Sequence, residues 1–319
     1  MEDCILQYNE LGKTGISVSR LCFGSLTISP LQKNMTLQEG VKVIEKAIEL
    51  GVNFIDTADL YDTYPYIKEI IKRHPEIVIC SKSYAYDRKT AEATLTKALK
   101  GIRRDYIDVF MLHEQESIHT FRGHWDAVSY FLEMKEKGYI RAIGISTHMV
   151  GCVRDAWNVK EFEVIHPIIN YSGIGILDGT RQQMETALQE ARKGGKGIFA
   201  MKPLGGGHLV SCKEKALEYI LSLPYLDSIA IGMQNVAEVI YNVNYFSGLP
   251  IDMNIRKELE AQKRSLMVHD WCEGCGSCVS SCRAGALYLY NNKVHVRTDK
   301  CFLCGYCAAK CPLFCLKVI

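Results

Sequence analysis

Residues 53–61 read Asn-Phe-Ile-Asp-Thr-Ala-Asp-Leu-Tyr. Two apolar strand formers, Phe54 and Ile55, run directly into the carboxylate of Asp56, and the phenol of Tyr61 follows after a short turn. A buried strand that ends in polar residues is typical of a parallel α/β barrel, which presents its reactive groups at the C-terminal rim. The stretch therefore predicts one barrel strand and two functional groups beside its end.

Three further apolar segments end in the same way. Residues 77–82 finish at Lys82, residues 106–113 finish at His113, and residues 143–146 finish at Ser146. Because the carboxyl ends of parallel strands meet at one rim, we expect an acid, a phenol, an ammonium and an imidazole to converge there. These groups belong to Asp56, Tyr61, Lys82 and His113.

Apolar strand segments and amphipathic helical segments alternate eight times between residues 21 and 232. This alternation predicts a parallel sheet, and eight units predict closure into a (β/α)8 TIM barrel of the α/β class. Residues 1–15 read as a short hairpin ahead of the barrel, and Thr36 with Glu39 reads as a capping box. We expect a barrel over residues 1–250, a polar helical linker over 251–268 and a small domain over 269–319.

Composition narrows the class of protein. The net charge is +2 and 48% of the residues are hydrophobic, so the chain has enough apolar residues for a large core and no charge bias towards nucleic acid or membranes. The first residues lack the long apolar run of a signal peptide or membrane span. Fourteen cysteines without an export signal indicate metal ligation rather than disulfides. We therefore expect a cytoplasmic protein.

Most cysteines lie in two runs near the C-terminus with the spacing C-x2-C-x2-C-x3-C. The first run is Cys272, Cys275, Cys278 and Cys282, and the second is Cys301, Cys304, Cys307 and Cys311, followed by Pro312. This is the pattern of bacterial two-cluster ferredoxins, in which the fourth cysteine of each run ligates the other cluster. It predicts one [4Fe-4S] cluster on Cys272, Cys275, Cys278 and Cys311, and another on Cys301, Cys304, Cys307 and Cys282. Zinc sites normally use separated pairs of ligands.

The tail has one departure from the usual motif and one expected turn. Arg283 stands where such motifs usually have proline, and Asn291-Asn292 is the expected turn of a hairpin over residues 286–296. The six remaining cysteines receive no role, because a free cysteine usually packs as a small apolar side chain.

The chain resembles the aldo-keto reductase family over residues 7–250. The resemblance begins at the opening segment, residues 8–21, and includes the Asp-x4-Tyr, strand-end Lys and strand-end His pattern. It implies a catalytic tetrad of Asp56, Tyr61, Lys82 and His113. A free tyrosine has a pKa of about 10, and a neighbouring ammonium lowers it. Tyr61 would be the general acid/base, Lys82 and Asp56 its tuners, and His113 would orient the substrate oxygen.

The same resemblance implies an extended nicotinamide dinucleotide, NADP or NAD, across the rim. Ser146 and Asn170 match the positions that hold the carboxamide, and Met201 stands where many members have an aromatic residue. Leu204 and Gly206 match the loop near the pyrophosphate. The adenosine segment is represented by Gly232, Gln234, Glu238 and Asn242. It lacks the basic residue that often clamps a 2′-phosphate.

The two halves of the chain pose a chemical problem, because clusters pass single electrons and nicotinamides pass hydride. Our first hypothesis is an oxidoreductase that reduces a carbonyl, or oxidises an alcohol, with a nicotinamide cofactor. Its tail would exchange electrons with a ferredoxin or redox enzyme. Other readings are a dinucleotide-binding accessory or sensor subunit with a relay tail, or a cluster-fed reductase with a flavin. The sequence carries no clear flavin signature.

Overall fold

Strands and helices alternate through most of the chain in the computed structural model, which describes residues 6–319. Part of the predicted hairpin at residues 1–15, with Cys4, lies outside the described residues. The strands are β1 (Tyr8–Glu10), β2 (Ser17–Ser19), β3 (Leu21–Gly24), β4 (Phe54–Asp56), β5 (Val78–Ser83), β6 (Ile107–Leu112), β7 (Ile140–Thr147), β8 (Val164–Pro167), β9 (Gly197–Met201), β10 (Ser228–Ile231), β11 (Leu266–Val268), β12 (Leu287–Tyr290), β13 (Lys293–Val296) and β14 (Leu316–Val318).

The helices lie between these strands and on the outer surface. They are α1 (Leu37–Glu49), α2 (Tyr64–Ile71), α3 (Arg88–Ile102), α4 (Ile118–Gly123), α5 (Trp125–Glu136), α6 (Val150–Trp157), α7 (Arg181–Lys193), α8 (Lys213–Leu221), α9 (Val236–Phe246), α10 (Met253–Ala261) and α11 (Ser277–Ser280). The predicted capping box begins α1, because the Thr36 hydroxyl accepts from the Glu39 N–H and the Glu39 carboxylate accepts from the Thr36 N–H. Across residues 6–319, no helix is both long and apolar enough to cross a membrane.

The predicted (β/α)8 barrel is confirmed. Strands β3 to β10 pair in parallel, and β10 closes the ring against β3. Asp56 is the last residue of β4, Lys82 lies near the end of β5, and His113 directly follows β6. Consecutive strands therefore carry three of the four predicted catalytic groups to the same rim.

The linker helix is shorter than predicted. Helix α10 ends at Ala261, and Leu266–Val268 forms β11, which pairs antiparallel with β14 at the C-terminus. The helix is shorter because residues 266–268 pair with β14 instead. Their backbone N–H and C=O groups form hydrogen bonds between the two strands and not within a helix. The predicted hairpin is β12–β13, with positive φ at both Asn291 and Asn292, as a tight hairpin turn requires.

The tail docks on the C-terminal rim of the barrel. The His208 ring nitrogen Nε2 lies 3.0 Å from the Leu316 carbonyl oxygen. A Cβ atom on Gly207 would lie only 2.0 Å from the Val318 carbonyl oxygen, so backbone meets backbone there without room for a side chain. Phe314 is buried and approaches Gly175 and Gly206 in the barrel loops. The last strand therefore forms part of the barrel's upper surface.

This close approach predicts that Gly207→Ala loosens the tail. Gly207 has φ +89°, and Gly138 is a matched control with φ +83° and open space around its position. Alanine at a left-handed position costs about 1–2 kcal/mol at either site, but only at residue 207 does it also collide with β14. Hydrogen exchange of the β14 amides should accelerate in Gly207→Ala and not in Gly138→Ala. Equal protection in the two variants would contradict the docked arrangement.

Candidate active site and cluster cavities

The structure brings all four predicted catalytic residues together. The Lys82 ammonium lies 2.6 Å from Asp56 Oδ1 and donates to the Thr57 carbonyl oxygen at 2.8 Å. It also lies 5.1 Å from the centroid of the Tyr61 ring. The ring centroids of Tyr61 and His113 are 5.8 Å apart. An ion pair, a phenol and an imidazole thus share one small volume at the rim.

Burial and charge act against each other at this centre. Burial opposes the charge on Lys82, but Asp56, Tyr61 and Cys80 together outweigh it, so the pKa of the ammonium lies above its ordinary value. Burial raises the pKa of Tyr61 and the Lys82 ammonium lowers it; the net result lies above the ordinary tyrosine value. The lysine effect expected from the sequence is present, but it does not overcome burial. The phenol therefore holds its proton at neutral pH.

His113 is neutral at physiological pH. Burial, reinforced by the nearby Lys82 ammonium, lowers the pKa of its imidazole to about 3. The Tyr84 ring stacks on it with centroids 4.6 Å apart, and the Tyr84 hydroxyl donates to Glu114. His113 Nδ1 is buried and has no hydrogen-bond partner among residues 6–319. A neutral imidazole beside the Tyr61 ring can hydrogen-bond a ligand oxygen without adding a charge to the site.

His166 is a second imidazole at this centre. Its Nδ1 lies 2.6 Å from the Phe199 carbonyl oxygen, and its Nε2 lies 3.8 Å from Asp56 Oδ2. The sequence contains no motif that singles out His166, since it lies inside a buried strand. Only the register of β8 against β7, which pairs His166 with Ser146, places it near the rim.

A cleft extends from Asp56 and Tyr61 along the rim. It is lined by seven of the nine residues predicted to bind cofactor: Met201, Leu204, Gly206, Gly232, Gln234, Glu238 and Asn242. The end of β9, the loops after β9 and β10, and helix α9 supply these residues, so the cleft follows neighbouring strand ends. Its shape suits an extended ligand that begins beside the phenol.

Ser146 and Asn170 do not line this cleft. Both are fully buried. The Ser146 hydroxyl oxygen accepts from the Glu114 N–H at 2.8 Å, and the Asn170 side chain bonds both the N–H and the carbonyl of Ile174. Asn170 therefore braces its own loop, and contact of either residue with a carboxamide stays a prediction.

Residues outside the barrel complete the cleft. Arg264, after α10, and Lys317 and Val318, in β14, line its wall. Arg264 Nη2 lies 2.8 Å from Glu238 Oε1, so a cation does reach the predicted adenosine segment, although the barrel itself does not supply it. The lining contains four cations, Lys202, Lys213, Arg264 and Lys317, against two carboxylates, Asp56 and Glu238. The cleft therefore favours an anionic ligand.

The cysteines of the tail surround two separate cavities. One is lined by the first predicted set, Cys272, Cys275, Cys278 and Cys311, and the other by the second set, Cys282, Cys301, Cys304 and Cys307. Each cavity thus takes three thiols from one run and one from the other run, which is the crossed grouping. Within residues 6–319, no three His, Cys, Asp or Glu side chains converge closely enough to hold a single metal ion.

Glycines let the cysteine loops fold tightly around these cavities. Gly274 has φ +67°, and a Cβ atom there would lie 2.3 Å from the Asn292 carbonyl oxygen. Two further groups come close to the cavities. Cys315 lines the first cavity, with its Sγ 3.3 Å from that of Cys311, and His208 of the barrel lines the second. Thiols around a space, on a backbone that approaches closely, fit iron–sulfur clusters.

Comparison with known proteins agrees with this architecture. Residues 20–215 match the model of the aldo/keto reductase family, and residues 266–312 match a 4Fe-4S dicluster domain. An uncharacterized oxidoreductase, YqkF, of Bacillus subtilis is 23% identical over 83% of this chain and 96% of its own length. L-galactose dehydrogenase of Arabidopsis thaliana is 20% identical over 84% of this chain and 98% of its own.

Solved structures show the same fold. The holo form of the aldo-keto reductase AKR11C1 from Bacillus halodurans superposes with a TM-score of 0.64 at 20% identity, covering 80% of this chain and 96% of that one. With a matching family model over most of the barrel and a matching dicluster model over the tail, the chain belongs to the aldo/keto reductase family and carries a C-terminal 4Fe-4S dicluster domain.

Proposed function

We propose that the protein is an oxidoreductase that reduces a carbonyl, or oxidises an alcohol, with NADP or NAD. The observation that carries this proposal is the contact of Lys82 with both Asp56 and the Tyr61 ring at one end of a cationic cleft. A dinucleotide is extended and anionic, as the cleft requires. Membership of an oxidoreductase family supports the same class of reaction.

The protein's own groups manage the proton and the substrate. A nicotinamide, when bound, supplies or accepts the hydride at the substrate carbon. Tyr61 is the general acid in reduction and the general base in oxidation, acting at the substrate oxygen. Lys82 stabilises the phenolate that remains after proton donation, and Asp56 holds Lys82 in place. Neutral His113, whose ring lies beside that of Tyr61, would orient the substrate oxygen.

The far end of the cleft is where NAD and NADP differ. Glu238 offers a carboxylate that suits the ribose hydroxyls of NAD, and Arg264 offers a guanidinium that suits the 2′-phosphate of NADP. Glu238 and Arg264 form an ion pair with each other. Binding of either cofactor therefore replaces part of that ion pair with a contact between the cofactor and one of the two side chains. Asn242 and Gln234 complete this end of the cleft.

We propose that the tail holds two [4Fe-4S] clusters with the crossed ligands, and that it exchanges electrons with a redox partner. The two groups of four cysteines and the docking of β14 support this. Near the second cavity, Cys304 is exposed and Phe302 is 81% exposed. An exposed aromatic beside a cluster ligand suits contact with a ferredoxin or redox enzyme as partner. A relay role in an accessory subunit is the second candidate.

The proposal is tested with anaerobically purified holoprotein. Titration with NADH and NADPH should give saturable binding, and the tighter cofactor should be oxidised when aldehydes and ketones are added. Failure of both nucleotides to bind would contradict the dinucleotide assignment. Binding without carbonyl-dependent oxidation, together with bleaching of the clusters, would favour the relay.

A further inference from the structure

Lys317 is a buried cation that comes from the tail and faces the barrel. Its side chain lies in β14, the residue is only 4% exposed, and it lines the cleft beside Gly206 and Gly207. Its ammonium donates to the Phe314 carbonyl oxygen at 2.6 Å. This acceptor is neutral, and no carboxylate in residues 6–319 lies within ion-pair distance of the Lys317 ammonium.

Lys202 is a second cation at the same place. It directly follows β9 and has φ +57°, a conformation that a residue other than glycine adopts only at a cost. Its ammonium lies 2.6 Å from His148 Nε2, and no carboxylate in the described part of the chain is within ion-pair distance. The two ammonium groups lie 5.2 Å and 3.1 Å from the centroid of the Phe314 ring, so one aromatic ring connects them.

Glu114 acts electrostatically on both lysines, but neither has a carboxylate in ion-pair contact, and burying two ammonium groups in this way is unfavourable. Burial lowers the pKa of Lys202 to about 8, and burial together with Lys202 lowers the pKa of Lys317 well below its ordinary value. The lysines of the reactive centre differ in this respect, because Lys82 has Asp56 as a direct partner. Lys202 and Lys317 therefore line the cleft with only neutral groups as direct hydrogen-bond partners.

We propose that Lys202 and Lys317 together form an anion site, completed only when the tail is docked, that binds an oxyanion of the ligand in the cleft. The inference rests on the proposed function for the reaction beside it. Lys202 and Lys317 line the same cleft as Asp56 and Tyr61, which places the site beside the proposed reacting groups. An acidic carbonyl substrate, with a carboxylate near its carbonyl, has the matching chemistry; a cofactor phosphate is the other source of the same oxyanion.

A purely structural role for Lys317 predicts something different. If the ammonium served only to hold the Phe314 carbonyl, its loss would loosen β14 and leave anion binding at Lys202 unaffected. The anion site predicts instead that Lys202 and Lys317 contribute together, although they lie in different domains.

The test uses holoprotein with intact clusters, checked by absorbance, and two unreactive probes, oxalate and inorganic pyrophosphate. In calorimetric titrations, Lys202→Met and Lys317→Met should each weaken binding of a probe by about 10-fold or more, the loss of one charge-assisted contact. Lys317→Arg should retain most of the affinity. Lys293→Met, an exposed lysine of the same tail, should change it by less than about two-fold.

The probes also separate the two sources of the oxyanion. Oxalate that binds alongside NADH or NADPH identifies a substrate carboxylate, whereas pyrophosphate that competes with the nucleotide identifies a cofactor phosphate; either result supports the site. No binding of either probe by the wild type, or equal loss in Lys293→Met, overturns it. Nucleotide-dependent carbonyl reduction that persists in that case would leave the proposed function intact, and probe binding without turnover would defeat only the function.

Discussion

Replacing Tyr61 with phenylalanine should lower kcat for carbonyl reduction by about 10²- to 10⁴-fold, the usual contribution of a positioned general acid. The substitution removes the only group of Tyr61 that can donate a proton and leaves the ring beside Lys82 and His113. Binding of the dinucleotide should be nearly unchanged, because most of the cleft lining lies beyond Asp56 and Tyr61. Steady-state kinetics and a nucleotide titration on the same preparation measure both effects.

Tyr64→Phe is the matched control for this experiment. Tyr64 lies three residues further along and its hydroxyl bonds the Ser81 hydroxyl at 2.8 Å, inside the protein. Its loss should lower stability by about 1 kcal/mol and leave kcat within a few-fold. Comparable kcat values for Tyr61→Phe and the wild type would remove Tyr61 from the mechanism.

Loss of one predicted cluster ligand should remove a whole cluster. In Cys311→Ala, the first cavity loses the thiol that comes from the second run, and the iron content should fall from about eight to about four atoms per chain. Five of the buried residues in the tail's apolar core are cysteines that line these cavities, so the variant should also unfold more readily. Iron and sulfide analysis and electron paramagnetic resonance of the reduced protein measure the outcome.

Cys315→Ala provides the control for ligand assignment. Cys315 lines the same cavity and its sulfur lies 3.3 Å from that of Cys311, but it stands outside the repeated spacing. We expect this variant to keep both clusters. A full complement of iron in Cys311→Ala, with loss in Cys315→Ala, would reassign the fourth ligand.

Much of the barrel was predictable from the sequence because its signals are local. An apolar run that ends in a polar residue identifies both a strand and its rim position, and this holds for Asp56, Lys82 and His113. The cysteine spacing is equally local, since three thiols of each cavity come from one short loop. Both predictions depend on the order of neighbouring residues and not on contacts between distant segments.

The remainder of the site depends on such contacts. Arg264 and Lys317 reach the cleft because β11 and β14 pair with each other and dock on the rim, and no local pattern in either segment indicates this. Asn170 stands at a strand end like the catalytic residues, yet its amide is used within its own loop. The position of a side chain along the sequence does not show whether a neighbouring backbone group forms a hydrogen bond with it.

The docked tail forms part of the cleft wall. The strand that follows the last predicted cluster ligand also supplies Lys317 and Val318 to the cleft wall, and Phe314 contacts both domains. A ligand that lies beside Lys317 and Val318 would therefore touch the cluster domain directly. Because the proposed function combines a hydride carrier with clusters, the route of the reducing equivalent is the central question.

The most direct measurement is transfer of deuterium from nicotinamide deuterated at C4 in a single anaerobic turnover of holoprotein with a carbonyl compound. Mass spectrometry measures the deuterium content of the alcohol. The experiment is repeated with NADH and with NADPH, each deuterated at C4 on one face and then on the other. The account predicts one deuterium on the former carbonyl carbon from one face, with no change in cluster absorbance during that turnover. An unlabelled alcohol formed while the clusters bleach and recover would contradict it.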